Sequence, residues 1–158
     1  MKGRVPSYFE GVYEYLSMPR KLVFGPDSVK HVGKETKRFG NRALVVTDEG
    51  VQRAGLVSKV TNVLLTEDVD FYVFNGVKME PDLENARTVA RTSRERDYDV
   101  VIGVGGGSCL DMAKVAAVMA TNEGDVEEYF GDELVKRPGL PLILIPTTSG
   151  SGSEATRG

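Results

Sequence analysis

The chain has 158 residues, of which 41% are hydrophobic and 27% are charged, the balance of one globular domain rather than of a disordered chain. Its 20 basic and 23 acidic residues give a net charge of −3, so no broad basic surface is available for nucleic acid. No apolar run is long enough to cross a membrane, and the single cysteine excludes an intrachain disulfide. We expect a cytoplasmic protein without nucleic-acid or membrane partners.

We expect the first 17 residues to form an N-terminal extension and residues 18–158 to form one domain. The extension is rich in aromatic side chains, among them Tyr8, Phe9 and Tyr13. Two interpretations stay open: it packs on the core as a terminal helix or strand, or it forms the contact of a homodimer.

Short apolar runs rich in branched residues alternate with helical patterns along the domain. The runs predict five strands at 22–24, 43–46, 71–74, 100–104 and 142–145. Three helices are predicted between them, over 26–40, from residue 56 to 64 and over 82–96, and a fourth, apolar on most sides, follows residue 107. The pattern predicts an α/β fold, a Rossmann-like parallel sheet with helices on both faces. Residues 131–141 are predicted to be a loop.

The segment GGGSCLDMAK (105–114) is the most informative part of the sequence, and it follows the fourth predicted strand. Glycines between a buried strand and a helix permit a sharp turn and close approach to a ligand, and the first amides of the helix attract an anion. We therefore expect a nucleotide pyrophosphate here. The usual dinucleotide fingerprint follows the first strand and precedes its acidic residue. Because Asp48 lies before the glycines instead, an ordinary Rossmann unit is disfavoured.

Four side chains after the glycines each have two interpretations. Ser108 and Asp111 form an S-x-x-D pair, which predicts either a capping box or a carboxylate directed at ribose hydroxyls. Lys114 either approaches a phosphate or extends into solvent. Cys109 either has a lowered thiol pKa at the helix start or is a small packing residue.

A second polar cluster, PTTSGSGSE (146–154), follows the last predicted strand. Its composition is typical of a flexible loop, but its position allows the hydroxyls to line the same crevice as the glycines. The G-x-S-x-G pattern of a nucleophile elbow is absent, and the only histidine, His31, lies in the first predicted helix. A serine hydrolase and a metal site with several histidines are therefore disfavoured.

Both motifs resemble those of one family. GGGSCLDMAK resembles the GGGSxxDxAK signature of the iron-containing (group III) alcohol dehydrogenases, and PTTSGSGSEAT resembles their PTTxGTGSEVT segment. MPRKLVFG, VVTDEG and VKMEPDLENA are similar to further family segments in the same order. The resemblance extends from about residue 18 to residue 156. It implies the nucleotide-binding N-terminal domain of the dehydroquinate synthase type.

The resemblance also implies residue roles. Gly105, Gly106, Gly107 and Ser108 would hold the pyrophosphate, and Asp111 would lie near the nicotinamide. Thr147, Thr148 and Ser151 would line the path of the adenosine and pyrophosphate. Asp48 matches a family aspartate near the adenine ribose, whose charge favours NAD over NADP. No residue of this chain is assigned as catalytic or as a metal ligand.

Three departures from the family pattern limit what carries over. Glu80 replaces the asparagine often found before the proline, and Ser151 replaces a threonine. Family members continue into a helical domain that carries an aspartate and three histidines for Fe²⁺. We therefore expect a chain without that metal-binding domain, which binds a dinucleotide but does not turn over a small alcohol or aldehyde. The alternatives are a non-catalytic nucleotide- or phosphate-binding module, and a domain of the glycerol dehydrogenase or dehydroquinate synthase type.

Overall fold

The computed structural model describes residues 20–129, 134–149 and 152–153. Its four strands form one fully parallel sheet in the order β2-β1-β3-β4. The strands are β1 (Arg42–Val46), β2 (Asp70–Phe74), β3 (Val100–Gly105) and β4 (Leu142–Pro146). The helices are α1 (Val32–Lys37), α2 (Glu49–Arg53), α3 (Leu56–Thr66), α4 (Leu83–Arg94) and α5 (Gly107–Met119). Two 3-10 turns complete the described elements, at Ser28–His31 and Val126–Tyr129.

Helices cover both faces of the sheet, as the apolar strands predicted. On one face, Val45 and Ile102 pack against Val60 and Leu64 of α3. On the other face, Leu44 and Val101 belong to a second core with side chains of α4 and α5. The core residues of β1 and β3 are fully buried, whereas those of β2 and β4 are partly buried. Alternate side chains along a strand pack into two separate cores. The predicted α/β fold is confirmed.

Helix α5 lies directly against β3. A Cβ atom on Gly103 would come within 2.7 Å of the Ala113 Cβ, so the missing side chain lets helix and strand approach closely. Seven of the helix residues are buried, including Leu110 and Met119, which confirms a helix that is covered on most sides. The close packing fixes where the first turn of α5 lies at the end of β3.

The strand predicted at residues 22–24 is wrong. Leu22, Val23 and Phe24 are 72%, 41% and 95% exposed, and within the described residues they pair with no strand. An apolar run becomes a strand only where a neighbour supplies the backbone hydrogen bonds. The glycine segment consequently follows the third strand of the sheet rather than a fourth.

The other predicted elements agree with the structure to within a few residues. The first helical segment is shorter than predicted and divides into the turn Ser28–His31 and α1. Helix α2 was not predicted, because five residues are too few to show a helical period. Residues 134–140 contain neither helix nor strand, in keeping with the predicted loop. The extension 1–17 and Ser151 lie outside the described residues.

Candidate functional site

The carboxyl ends of the four described strands lie on the same side of the sheet, where Asp48, the glycine turn, Thr147 and Thr148 follow them in the chain. The chain passes from β1 to β2 on one side and then crosses to β3 on the other side of β1. In open parallel sheets such a reversal leaves a crevice beyond the strand ends, and ligands bind there. Asp48 follows β1 and the glycines follow β3, so these two segments flank the point of reversal.

The N-terminus of α5 is left without a side-chain cap. Gly106 is its N-cap residue, in extended geometry with φ −79° and ψ −174°. The Leu110 amide donates to the Gly106 carbonyl at 3.1 Å, whereas the three amides before it precede the first helical hydrogen bond. Ser108 therefore does not cap the helix, and the capping-box hypothesis is wrong. The turn presents backbone N–H groups and the positive end of the helix dipole.

Gly105 makes the turn between β3 and α5 possible. Its φ is +149°, and a Cβ there would lie 2.5 Å from the Cys109 Sγ, so a side chain would meet both backbone strain and a steric clash. Its carbonyl accepts a hydrogen bond from the Thr147 amide at 2.9 Å. The glycine turn is thereby tied to the segment that follows β4.

The loop after β2 closes a third side of the site. The Ser108 hydroxyl donates to the Met79 carbonyl at 2.6 Å. Asn85, in the first turn of α4, donates from its side chain to the Gly76 carbonyl at 2.8 Å and accepts from the Lys78 amide at 3.1 Å. Sequence analysis missed these contacts, since most of them are made by backbone atoms that carry no sequence signal.

Asp48 is the N-cap residue of α2. Its Oδ1 accepts a hydrogen bond from the Val51 amide at 2.8 Å, and its Oδ2 accepts one from the Cys109 Sγ at 3.1 Å. Asp48 is partly buried, and its carboxylate links the segment after β1 to the first turn of α5. Each oxygen retains one lone pair for a further donor.

Cys109 is a buried residue rather than a reactive thiol. It is 1% exposed, and burial raises its pKa to about 12, with the hydrogen bond to Asp48 acting in the same direction. The alternative of a lowered thiol pKa is therefore wrong: loss of water outweighs the helix N-terminus here. The thiol stays protonated at neutral pH and can donate.

Asp111 and Lys114 form an ion pair on α5. Their Oδ1 and Nζ atoms are 3.2 Å apart, and the lysine side chain is 8% exposed whereas the aspartate is 55% exposed. Lys114 is therefore not a solvated helix lysine. The nearby ammonium offsets the negative charge that Asp111 would otherwise bring close to a bound anion.

The hydroxyl-bearing residues after β4 approach the glycine turn. Thr147 is partly buried and Thr148 is exposed. A Cβ on Gly106 would lie 3.4 Å from the Thr148 Oγ1, an ordinary contact distance, so this hydroxyl lies beside the N-terminus of α5. The structure thus brings Asp48, the glycine turn, Ser108 and the two threonines to one edge.

Two cavities in the described part of the chain lie away from this edge. One, of about 310 Å³, is lined near the amino ends of the strands by Arg42, Asp70 and Arg96, among others. The other, of about 230 Å³, lies between α4 and the turn at Val126.

Among the described residues, no group of three or more histidine, cysteine, aspartate or glutamate side chains could hold a metal ion. The only histidine, His31, is exposed at the end of a 3-10 turn. These residues do not fit an iron site. In the same ranges, no helix combines the length and apolar character needed to cross a membrane.

The family model described as iron-containing alcohol dehydrogenase matches residues 19–158. Long-chain-alcohol dehydrogenase 1 of Geobacillus thermodenitrificans is 43% identical over 148 residues, which cover 86% of this chain and 37% of that protein. Sulfoacetaldehyde reductase of Bilophila wadsworthia is 38% identical over 138 residues, with 87% and 36% covered.

Solved structures show the same likeness. The crystal structure of a 1,3-propanediol oxidoreductase matches with a TM-score of 0.85 at 34% identity, over 90% of this chain and 38% of that one. An alcohol dehydrogenase from Oenococcus oeni matches with a TM-score of 0.84 at 36% identity, over 92% and 39%. The chain therefore spans well under half the length of the proteins to which it is similar.

Proposed function

The chain belongs to the iron-containing alcohol dehydrogenase family, and from this premise we propose that residues 18–158 are the dinucleotide-binding part of an NAD(P)-linked alcohol dehydrogenase. One observation carries the proposal: α5 begins with a glycine N-cap and no side-chain cap, at the crevice where the strand order reverses. Backbone amides that the chain leaves without a cap at such a place suit a pyrophosphate.

In this proposal the first turn of α5 binds the pyrophosphate through its backbone. Gly105 allows the turn, Gly106 leaves room for close approach, and Gly107 and Ser108 supply amide donors. The Ser108 hydroxyl already donates to the Met79 carbonyl, so its contribution to the phosphate comes from its N–H. Thr147 and Thr148 lie along the same path and offer hydroxyl donors beside Gly106.

Asp48 in this proposal accepts hydrogen bonds from the adenine ribose. Both carboxylate oxygens have a free lone pair, and their negative charge would repel a 2′-phosphate. We therefore propose NAD as the preferred cofactor, with NADP bound more weakly. Asp111 lies further along α5, toward the nicotinamide end, with Lys114 offsetting its charge.

A bound nicotinamide would supply hydride transfer to or from an alcohol or aldehyde carbon. The chain's own residues hold and orient that cofactor. Relatives at 32% to 43% identity bear names that specify long-chain alcohols, 1,3-propanediol, butanol, choline and sulfoacetaldehyde, so family membership alone selects no substrate. A cytoplasmic location and a homodimer stay predictions.

Calorimetric titration of the 158-residue polypeptide with NAD, NADP and ADP-ribose tests the proposal. We expect binding of NAD and ADP-ribose, weaker binding of NADP, and no alcohol oxidation by this polypeptide. Equal affinity for all three ligands, or none for any, would contradict the proposed function. Measurable oxidation of ethanol or butanol with added metal would contradict the proposed lack of turnover.

Asp48→Asn provides the sharper variant, because the amide oxygen can still accept from the Val51 amide while the negative charge is removed. We expect the preference for NAD over NADP to fall by at least about tenfold, because the variant no longer repels the 2′-phosphate of NADP at short range. Glu49→Gln, which removes a neighbouring exposed charge, is the matched control and leaves the preference unchanged.

A further inference from the structure

The Asp48 carboxylate is held by two donors that belong to different parts of the fold. Its Oδ1 accepts from the Val51 amide, three residues away, whereas its Oδ2 accepts from the thiol of Cys109, 61 residues away in the sequence. The second bond joins the end of β1 to the first turn of α5. It therefore fixes the proposed ribose acceptor relative to the proposed pyrophosphate site.

The thiol has little freedom to move. Cys109 is 1% exposed, and its Sγ lies so near Gly105 that a Cβ there would come within 2.5 Å of it. A separation of 3.1 Å between Sγ and Oδ2 is short for a bond that involves sulfur. Packing thus directs the S–H toward the carboxylate, and the carboxylate in turn cannot rotate about its side-chain bonds without breaking a hydrogen bond.

We propose that Cys109 is a positioning residue, which orients the Asp48 carboxylate so that it discriminates between cofactors by the substituent on the adenine ribose. The inference rests on the proposed function, since it assigns the thiol a role at that same site. Without the thiol, the Val51 amide alone holds the carboxylate, which then rotates. The affinity for ribose hydroxyls falls, because the acceptor is no longer held in one orientation. A 2′-phosphate is repelled less, because the carboxylate can rotate away from it.

The matched variants are Cys109→Ser and Cys109→Ala, which both remove the sulfur and differ by one hydroxyl donor. The quantity measured is the ratio of the NADP dissociation constant to the NAD dissociation constant. We expect Cys109→Ala to lower this ratio by about threefold to tenfold, the range of one hydrogen bond, and Cys109→Ser to restore most of it. If Cys109→Ala does not fold, Cys109→Val replaces it as a variant without a donor.

A double-mutant cycle separates positioning from packing. In the Asp48→Asn background, Cys109→Ala should leave the ratio unchanged, because no charged acceptor remains to be oriented. Equal reductions in the serine and alanine variants, or no reduction in either, would overturn the inference while leaving the proposed function intact. Failure of the wild-type polypeptide to bind either cofactor would overturn both, and would be evident before any variant was made.

Discussion

Helices α4 and α5 follow neighbouring loops of the same sheet edge, but their N-termini are built in opposite ways. At α4, the Asp82 carboxylate accepts from the Asn85 amide at 2.8 Å and from the Lys78 ammonium at 2.8 Å. At α5, the N-cap is Gly106 and no side chain caps the helix. At α4 a side chain of the protein accepts a hydrogen bond from a first-turn amide. At α5 no side chain does so, and the first-turn amides are left for a ligand.

The difference shows that the start of α4 contributes to stability, whereas the start of α5 is suited to binding. The Asp82 carboxylate accepts from a first-turn amide and complements the helix dipole, so its negative charge disfavours an anion at the start of α4. The start of α5 lacks that stabilisation, and its close packing on β3 at Gly103 holds it in position instead. The helix start that is suited to bind an anion is therefore the one without a side-chain cap, and packing against β3 supplies the stabilisation that a cap would give.

The largest expected effect is on stability, and it comes from changing the glycine turn that leads into α5. Gly105→Ala would put a Cβ at a φ of +149° and 2.5 Å from the Cys109 Sγ. We expect a loss of about 3 kcal/mol in the free energy of unfolding, from backbone strain and overpacking, measured by urea denaturation. Gly106→Ala, where the backbone is extended and the space sufficient, is the control; a loss as large in that variant would refute the argument.

Giving α5 the cap that α4 has should remove the difference in binding. In Gly106→Asp, the new carboxylate can accept from the first-turn amides and lies where the phosphate would bind. We expect NAD affinity to fall at least tenfold, about 1.4 kcal/mol, with no loss of thermal stability, measured by calorimetry and thermal unfolding. Gly106→Asn, a cap without charge, should have an intermediate effect. Unchanged affinity in Gly106→Asp would be incompatible with a phosphate at this turn.

Alkaline titration acts on α5 through Cys109, whose pKa is raised by burial from 9.0 to about 12. The folded state favours the neutral thiol, so the stabilisation is complete below pH 9.0. It is lost as the pH rises from 9.0 toward about 12, because in this range only the unfolded chain releases the proton. Relative to Cys109→Ala, the wild type should lose about 1 kcal/mol of stability between about pH 9 and about pH 10. Parallel pH profiles of the two proteins would rule this out.

Removing the side-chain cap of α4 should have the smallest effect on stability, and it tests whether the starts of α4 and α5 act separately. Asp82→Ala should lower Tm by about 2–4 °C, the change expected for one N-cap in a domain of this size, without changing NAD affinity. Asp82→Asn, which retains a capping oxygen, is the control and should have a smaller effect. A change in NAD affinity with Asp82→Ala would mean that the two helix starts do not act separately.

Acid should remove the same cap. The pKa of Asp82 lies below its ordinary value of 3.8, first because of the hydrogen bond from Lys78 and next because of the Asn85 amide. A lowered folded pKa gives stability that is present above pH 3.8 and is lost as the pH falls through the folded value. The difference in Tm between wild type and Asp82→Ala should therefore be full at neutral pH and shrink in stronger acid.

Four of the five strands predicted from the sequence are correct, as are the main helices, because buried branched runs and helical periods are local signals. Sequence analysis failed at residues 22–24, where a strand depends on a neighbour that a local pattern does not reveal. It located Asp48 and the glycines at the ends of strands, which follows from parallel topology. It missed the bonds of Cys109 to Asp48 and of Ser108 to Met79, because both join distant segments through tertiary contact.

The central claim is that a dinucleotide pyrophosphate binds the uncapped amides of α5. The most direct test is a proton–nitrogen NMR titration of the 158-residue polypeptide with NAD, which follows every backbone amide at once. We predict the largest shifts at Gly107, Ser108 and Cys109, with little change at Asn85 in the capped helix. Saturable shifts centred on the start of α4, or none at the start of α5, would contradict the account.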